Sequence, residues 1–370
     1  MFTERLLADI EREPFYFEKI IQTARNAKRV VIWGMGNAGR LTRQGMNTLG
    51  AENLVFTGNF IGDSNTRTYC ESPVIFPNEL RRSDYVLIAC NPKYSVEQEL
   101  KQACITCDYI DPEFFMYVSS LSEMKKKLTN NKEKIDKVYE LIEDERSKEI
   151  FYKVLLHRFT CNLRLIQDIY EENQYFGNRI VKSINGYFVD CGAYNGDTLK
   201  RFLKQENRDA DAKYYAFEAD KNNYDQLCAF VNENSLQGVE CFKLGVWNRH
   251  EQLCFANGID NMSGGFTNTM ADHMDLMMDV DSLDHVLQGR RVDMIAMDIE
   301  GSELNALEGA QELIKDQRPM LAISAYHKLE HLWEIPLYIN SLSSDYQIYF
   351  AHHRWNMHDT VCYGIIGDIR

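Results

Sequence analysis

Val189-Asp190-Cys191-Gly192-Ala193-Tyr194-Asn195-Gly196-Asp197-Thr198 is the stretch that decides how this chain is read. An apolar run, Tyr187 to Val189, enters a turn holding two glycines, and a helical pattern follows from Thr198 to Gln205. A buried strand that passes through a glycine turn into a helix is the unit of a parallel sheet. Glycine there permits a tight turn and close approach of backbone to a ligand, and the helix start supplies free N–H groups. Downstream, strands are predicted at Tyr214–Glu218, Glu240–Leu244, Met294–Asp298 and Met320–Ala325, and helices at Asn223–Asn232, Ser302–Asp316 and Ile335–Leu342. Gln347–His352 and Val361–Ile366 read as a closing antiparallel pair. The alternation predicts one α/β domain over residues 181–370.

Upstream, residues 119–180 lose most glycine and proline and gain charge, which predicts a helical linker. Before it, Arg29-Val30-Val31-Ile32-Trp33-Gly34-Met35-Gly36-Asn37-Ala38-Gly39 places G-x-G-x-x-G between a strand and a helix. Further strands at Leu54–Ile61, Tyr85–Cys90 and near Tyr109-Ile110 predict a smaller Rossmann-like domain over residues 1–118. Gly34, Gly36 and Gly39, with Asp63 some way on, form a candidate second nucleotide site. Only one half-fold fits there, and no Tyr-x-x-x-Lys pair exists, so a dehydrogenase is the weaker reading. A protein that binds a nucleotide or nucleotide sugar through this domain, or an NAD-dependent sugar-modifying oxidoreductase, is the alternative.

The chain has 370 residues, with 41 basic against 55 acidic side chains and a net charge of −14. Such a balance excludes sequence-independent binding to a phosphate backbone, so no nucleic-acid partner is expected. Ten cysteines lack framework spacing and read as free thiols of a reducing compartment. Cys104 and Cys107 have C-x-x-C spacing without a second pair. No leader pattern and no long apolar run is found, so a cytoplasmic protein without a membrane span is expected. G-x-x-x-x-G-K-[ST], G-x-S-x-G and H-E-x-x-H are absent. His352, His353 and His358, and likewise Asp298 with His327, lack H-E-x-x-H spacing, and no metal is expected.

The glycine turn carries acids at both ends, Asp190 and Asp197, which would repel a pyrophosphate and favour a ligand bearing an ammonium and a sulfonium. Glu218 ends the next strand, where a carboxylate reaches ribose hydroxyls. Together these point to S-adenosyl-L-methionine (SAM) as cofactor. Asp190-x-Gly192-x-x-x-Gly196-Asp197-Thr198, Phe217-Glu218-Ala219-Asp220, Gly245-Val246-Trp247 and Met297-Asp298-Ile299-Glu300-Gly301-x-Glu303 occur in order. With Ala325-Tyr326-His327-Lys328 and Leu332-Trp333-Glu334-Ile335-Pro336, the set resembles the FkbM-type SAM-dependent methyltransferases, in the bacterial branch with an N-terminal Rossmann-like domain.

The resemblance implies a class I Rossmann-like methyltransferase domain and O-methyl transfer. The implied acceptor is a hydroxyl of a sugar or of a nucleotide- or glycan-linked sugar, as in polysaccharide biosynthesis. It places Asp190, Gly192, Ala193, Tyr194, Asn195, Gly196, Asp197 and Thr198 along the methionine and ribose. Glu218 takes the ribose diol, Ala219, Gly245, Val246 and Trp247 the adenine, and Asp298 the meeting point of donor and acceptor. A hydroxyl needs a general base, and His327, Asp298 and Glu300 are the candidates. The glycine-rich loop Asn257–Phe266 is a candidate lid. The partner is a small molecule or glycan, and the oligomeric state is open, a homodimer included.

Overall fold

The computed structural model describes residues 1–13, 16–58, 68–90, 96–112, 115, 121–206, 208–256, 265–267 and 277–367. The chain divides into two compact units. One comprises Met1–Lys132, Tyr152–Ile169 and Trp355–Met357, the other Glu133–Phe151, Tyr170–Arg354 and His358–Arg370. Helices Leu121–Asn130, Lys132–Leu141, Glu145–Thr160 and Leu163–Gln167 occupy the predicted linker and are shared between the two units. Among the described residues, no helix is long and apolar enough to cross a membrane.

In the first unit, β1 (Val30–Trp33), β2 (Leu54–Thr57), β5 (Tyr85–Ile88) and β6 (Thr106–Tyr109) form a parallel sheet in the order β2-β1-β5-β6. A two-residue hairpin, β3 (Thr68–Tyr69) and β4 (Ser72–Pro73), precedes β5. Val31, Ile32, Val86 and Leu87 are fully buried, as strands covered on both faces require. A Cβ on Gly39 would lie 1.9 Å from the Gly34 carbonyl oxygen, so helix Asn37–Thr48 can pack this close only with glycine there. Gly36 has open space beside it. Asp63 lies outside the described residues. Gly39→Ala is expected to destabilise this unit by about 1–3 kcal/mol through overpacking. A urea midpoint equal to wild type would refute the close approach.

In the second unit, β7 (Phe188–Cys191), β8 (Tyr214–Phe217), β9 (Val239–Phe242), β14 (Met294–Met297), β15 (Met320–Ser324), β16 (Gln347–His352) and β17 (Thr360–Ile365) form a seven-stranded sheet. Its order is β16-β17-β15-β14-β7-β8-β9, with β17 antiparallel to both neighbours. Chain order reverses at β7, which lies between β8 and β14 in register, Asp190 facing Ala216 and Ala296. A crevice outside the carboxyl ends of the strands opens at such a point. Phe188, Phe202 and Tyr214 pack ring against ring beneath it, with centroids 5.2 to 5.9 Å apart.

Three features differ from the sequence reading. The helix predicted at Ser302–Asp316 is two, Glu303–Glu308 and Gln311–Gln317. The break falls beside Gly309, where a Cβ would lie 2.0 Å from the Trp247 carbonyl oxygen. The helix predicted from Ile335 starts at His331 and carries Pro336 inside it. A small sheet unseen in the sequence joins β10 (Gly245–Val246), β11 (Glu251–Ala256), β12 (Gly265–Thr267) and β13 (Met277–Asp281) in the order β10-β13-β11-β12.

Candidate functional site

The crevice at the reversal point is built first from the turn after β7. Asp190 is buried and accepts a hydrogen bond from the Tyr214 hydroxyl. Burial pushes its carboxyl up to about 7 against the pull of that bond. The turn then takes three left-handed steps, with φ of +87° at Gly192, +47° at Tyr194 and +82° at Gly196. Left-handed backbone is free of steric cost only for glycine, so Tyr194 is strained. Its N–H donates to Glu218 Oε2 at 2.8 Å, which fixes that conformation, while the side chain is 53% exposed. Asn195 and Ala193 complete the turn, and Asp197 and Thr198 open helix Asp197–Leu203.

Glu218 follows β8 directly and is buried. Its Oε1 accepts from the Asp220 N–H at 2.8 Å. Burial raises its carboxyl to about 7, although the Asp220 and Tyr194 N–H groups favour the anion. Each oxygen has a protein donor and retains acceptor capacity. The backbone carbonyl of Glu218 accepts from the Leu244 N–H at 3.1 Å, which sets Gly245 and Val246 just beyond it. Trp247 N–H donates to the Asp281 carbonyl at 2.8 Å.

The other wall follows β14. A Cβ on Gly192 would lie 2.1 Å from the Asp298 carbonyl oxygen, so the glycine turn rests directly on the end of β14. Asp298 Oδ1 accepts from the Tyr326 hydroxyl at 2.8 Å. Glu300 and Gly301 are left-handed, with φ of +55° and +94°. Glu303, fully buried, reaches back to accept from the N–H groups of Ile299 (3.1 Å) and Gly301 (3.3 Å). His327 stands among the acids. Its Nε2 is 3.4 Å from Asp298 Oδ1 and 3.2 Å from Glu300 Oε2, and its Nδ1 is 2.9 Å from Glu303 Oε1. His331 Nδ1 lies 3.2 Å from Glu303 Oε2.

Burial raises the Asp298 carboxyl to about 7 against the pull of the His327 charge. Burial also works against the charged forms of His327 and Glu303, but their mutual attraction outweighs it. The imidazole is held well above its ordinary value, and Glu303 well below the usual carboxylate range. One ligand atom each from Asp298, Glu303 and His327 lie within 4.8 Å of one another.

The structure thus brings Asp190, Gly192, Tyr194, Glu218, Asp298, Glu300 and His327 to the carboxyl ends of adjacent strands. Glu303, Tyr326 and His331 belong to the same cluster, and sequence reasoning gave them no role. Glu303 sits at a helix start, where an acid is already explained by the dipole. The tandem histidines stand apart: His352 Nδ1 pairs with Thr360 Oγ1 at 2.8 Å, and His353 bridges the Glu171 carbonyl and the Tyr363 hydroxyl, both at 2.9 Å. Burial lowers His353 to about 4. Residues 257–264 of the candidate lid lie outside the described residues.

A seven-stranded sheet with this order, a glycine turn after β7 and acids after β8 and β14 define a Rossmann-like α/β domain. Residues 190–357 match the model of the methyltransferase FkbM domain. That segment holds Asp190, Glu218, Asp298 and His327, and it is similar to a methyltransferase class that uses SAM. The crystal structure of methyltransferase FkbM from Methylobacillus flagellatus KT is similar over 99% of both chains, with a TM-score of 0.71 and 21% identity, a likeness of fold. An rRNA methylase from Streptococcus thermophilus is 15% identical over 50% of this chain and 89% of its own, with a TM-score of 0.31. A SAM-dependent methyltransferase from Aquifex aeolicus is 17% identical over 50% and 84%, with a TM-score of 0.30. No curated protein matches the chain.

Proposed function

We propose that this domain methylates a hydroxyl oxygen, on a sugar or on a sugar linked to a nucleotide or glycan, within polysaccharide biosynthesis. The observation that carries the reading is the contact of the Gly192 turn with the end of β14, which sets Asp298 beside the cradle for the donor. The cradle suits SAM: two turn positions lack side chains, and the buried acids Asp190 and Glu218 face a ligand that is cationic and bears a diol. SAM supplies an electrophilic methyl group and leaves as S-adenosylhomocysteine (SAH).

The chain's residues do the rest. Glu218 accepts from the ribose hydroxyls, and Asp190 with the backbone of residues 192–198 lies along the ribose and methionine. Ala219 and Gly245 to Trp247 border the adenine. A sugar hydroxyl is a poor nucleophile, so its proton must go to a nearby base as the C–O bond forms. Of His327, Asp298 and Glu300, Asp298 has the best place. It touches the turn and keeps 26% of its side-chain surface open, whereas His327 keeps 9% and faces carboxylates on both ring nitrogens. Tyr326 and His327 then orient Asp298, and Glu300 flanks it.

Incubation with methyl-labelled SAM and a panel of sugar nucleotides, with products read by NMR, tests the reading. An O-methyl signal supports it. Transfer to nitrogen or carbon instead would overturn it. The ten cysteines are unpaired, which supports a reducing cytoplasmic setting.

A pH dependence follows from the buried acids. Glu218 and Asp190 have raised carboxyls, so the free protein keeps their full contribution to stability at acid pH and loses it as pH rises through about 7. The ligand requires the anions, so SAH affinity should rise over the same window. Calorimetry at pH 6 and pH 8 checks this, and Glu218→Gln should flatten the slope. Glu218→Ala should cost about 1.5–3 kcal/mol of SAH binding. Unaltered affinity in that variant would remove Glu218 from the ribose.

A further inference from the structure

We propose that the second unit binds one divalent cation through Asp298, Glu303 and His327, at the mouth where the acceptor meets the methyl donor. The inference deepens the methyl-transfer reading of that site and rests on it for the cation's role, though the binding itself stands on geometry.

Each of the three residues offers one ligand atom, and these atoms lie within 4.8 Å of one another. Atoms about 2.0–2.2 Å from one ion stand about 3 Å apart. His327 Nε2 lies at such separations, 3.4 and 3.2 Å, from oxygens of Asp298 and Glu300, and Nδ1 lies 2.9 Å from Glu303 Oε1. The His327 side chain is nine-tenths buried, yet its nitrogens have ion-pair contacts and no aligned hydrogen bond, and Oε2 of the fully buried Glu303 has only His331 Nδ1 beside it, at 3.2 Å. Buried polar atoms are ordinarily paired, and a cation beside one ring nitrogen supplies what that nitrogen lacks.

The ligands are also held from behind. Ile299 and Gly301 N–H groups hold Glu303, and the Tyr326 hydroxyl holds Asp298. Such support is what orients metal ligands. Glu300, whose backbone is left-handed, brings a further carboxylate oxygen to 3.2 Å from His327 Nε2. Two or three carboxylates with one imidazole and no thiolate suit Mg²⁺ or Mn²⁺. Among the described residues, no other group of His, Cys, Asp and Glu side chains converges this closely. The sequence reading expected no metal because no pair has H-E-x-x-H spacing; the three ligands come instead from separate stretches of chain. They lie after β14, in the next helix and after β15, where no spacing rule joins them. Bound there, the cation holds the acceptor oxygen and makes its hydroxyl more acidic. Each ligand gives one atom, so the second oxygen of Asp298 is left to take the proton.

The test uses the full chain, stripped with EDTA and titrated with Mn²⁺ while the signal of free Mn²⁺ is followed by electron paramagnetic resonance. SAH binding is measured on the same samples. One Mn²⁺ per chain, displaced by Mg²⁺ and weakened about tenfold or more in Asp298→Asn and His327→Gln, is expected. Both variants should retain SAH binding. If His327→Gln does not fold, Asp298→Asn alone carries the comparison, since its side chain is partly open. Wild-type protein that binds SAH and leaves Mn²⁺ free would overturn the cation site alone. Variants that bind Mn²⁺ as wild type does would overturn the ligand set. Protein that binds neither would overturn the donor reading as well.

Discussion

Asp298→Asn is expected to lower turnover by about 10²–10⁴-fold, the range a positioned base contributes, while SAH affinity stays within a few-fold. Asparagine keeps the size of the side chain and an oxygen to accept from the Tyr326 hydroxyl, so the loop after β14 has no steric reason to move. What is lost is a carboxylate able to take the acceptor's proton. His327→Gln should lower turnover less, because it leaves the Asp298 carboxylate in place to take the proton, and His327 has only 9% of its side-chain surface accessible. Single-turnover rates with saturating SAM would separate the two. Equal losses in the two variants would remove the distinction between base and orienting residue. A full loss of SAH binding in Asp298→Asn would make Asp298 part of the donor's cradle rather than the acceptor's.

Gly192→Ala should be the most damaging small substitution in the domain. The new methyl group would lie 2.1 Å from the Asp298 carbonyl oxygen, at a residue with φ of +87°. Left-handed backbone and overlap together cost about 2–4 kcal/mol, relieved only if the turn moves away from β14. That movement takes Asp298 from the donor's cradle, so SAH affinity and turnover should fall together. Gly289→Ala is the control. It has φ of +72° but nothing within 4 Å, so only the conformational cost applies. Denaturation midpoints and SAH calorimetry on both variants check the difference. Equal behaviour would mean that the contact between the turn and β14 carries no weight.

The donor half of the proposed site is legible because its residues are contiguous. Asp190, Gly192, Gly196 and Asp197 fall within eight residues, and Glu218 is one strand away. Local chemistry, tight turn plus acids, is enough to read them. The proposed acceptor half is legible only in part. Asp298 and His327 stand at strand ends, where the alternation predicts a ligand edge. Glu303 did not stand out, because an acid at a helix start has a sufficient local explanation and its partners, His327 and His331, are distant in sequence. The break beside Gly309 has the same origin, since the reason for it is the carbonyl of Trp247, far upstream. The strands β10 and β12 have two and three residues, too few to show any alternation. The pattern of strands and helices needs only local periodicity, whereas the cluster at the mouth needs contacts that sequence spacing does not encode.

The position of β14 between β7 and β15 has a consequence for how the chain comes off the ribosome. β7 pairs with β14, whose first residue comes about 100 positions after β7 ends, while β8 lies close behind it in sequence. A nascent chain therefore makes the β7-β8-β9 half first and holds one long edge of β7 open until β14 emerges. Pairings this distant are slow to form, and open edges invite association. Maturation of this domain should be limited by the insertion of β14, and a chaperone or a slow stretch of translation before Met294 would act at that step.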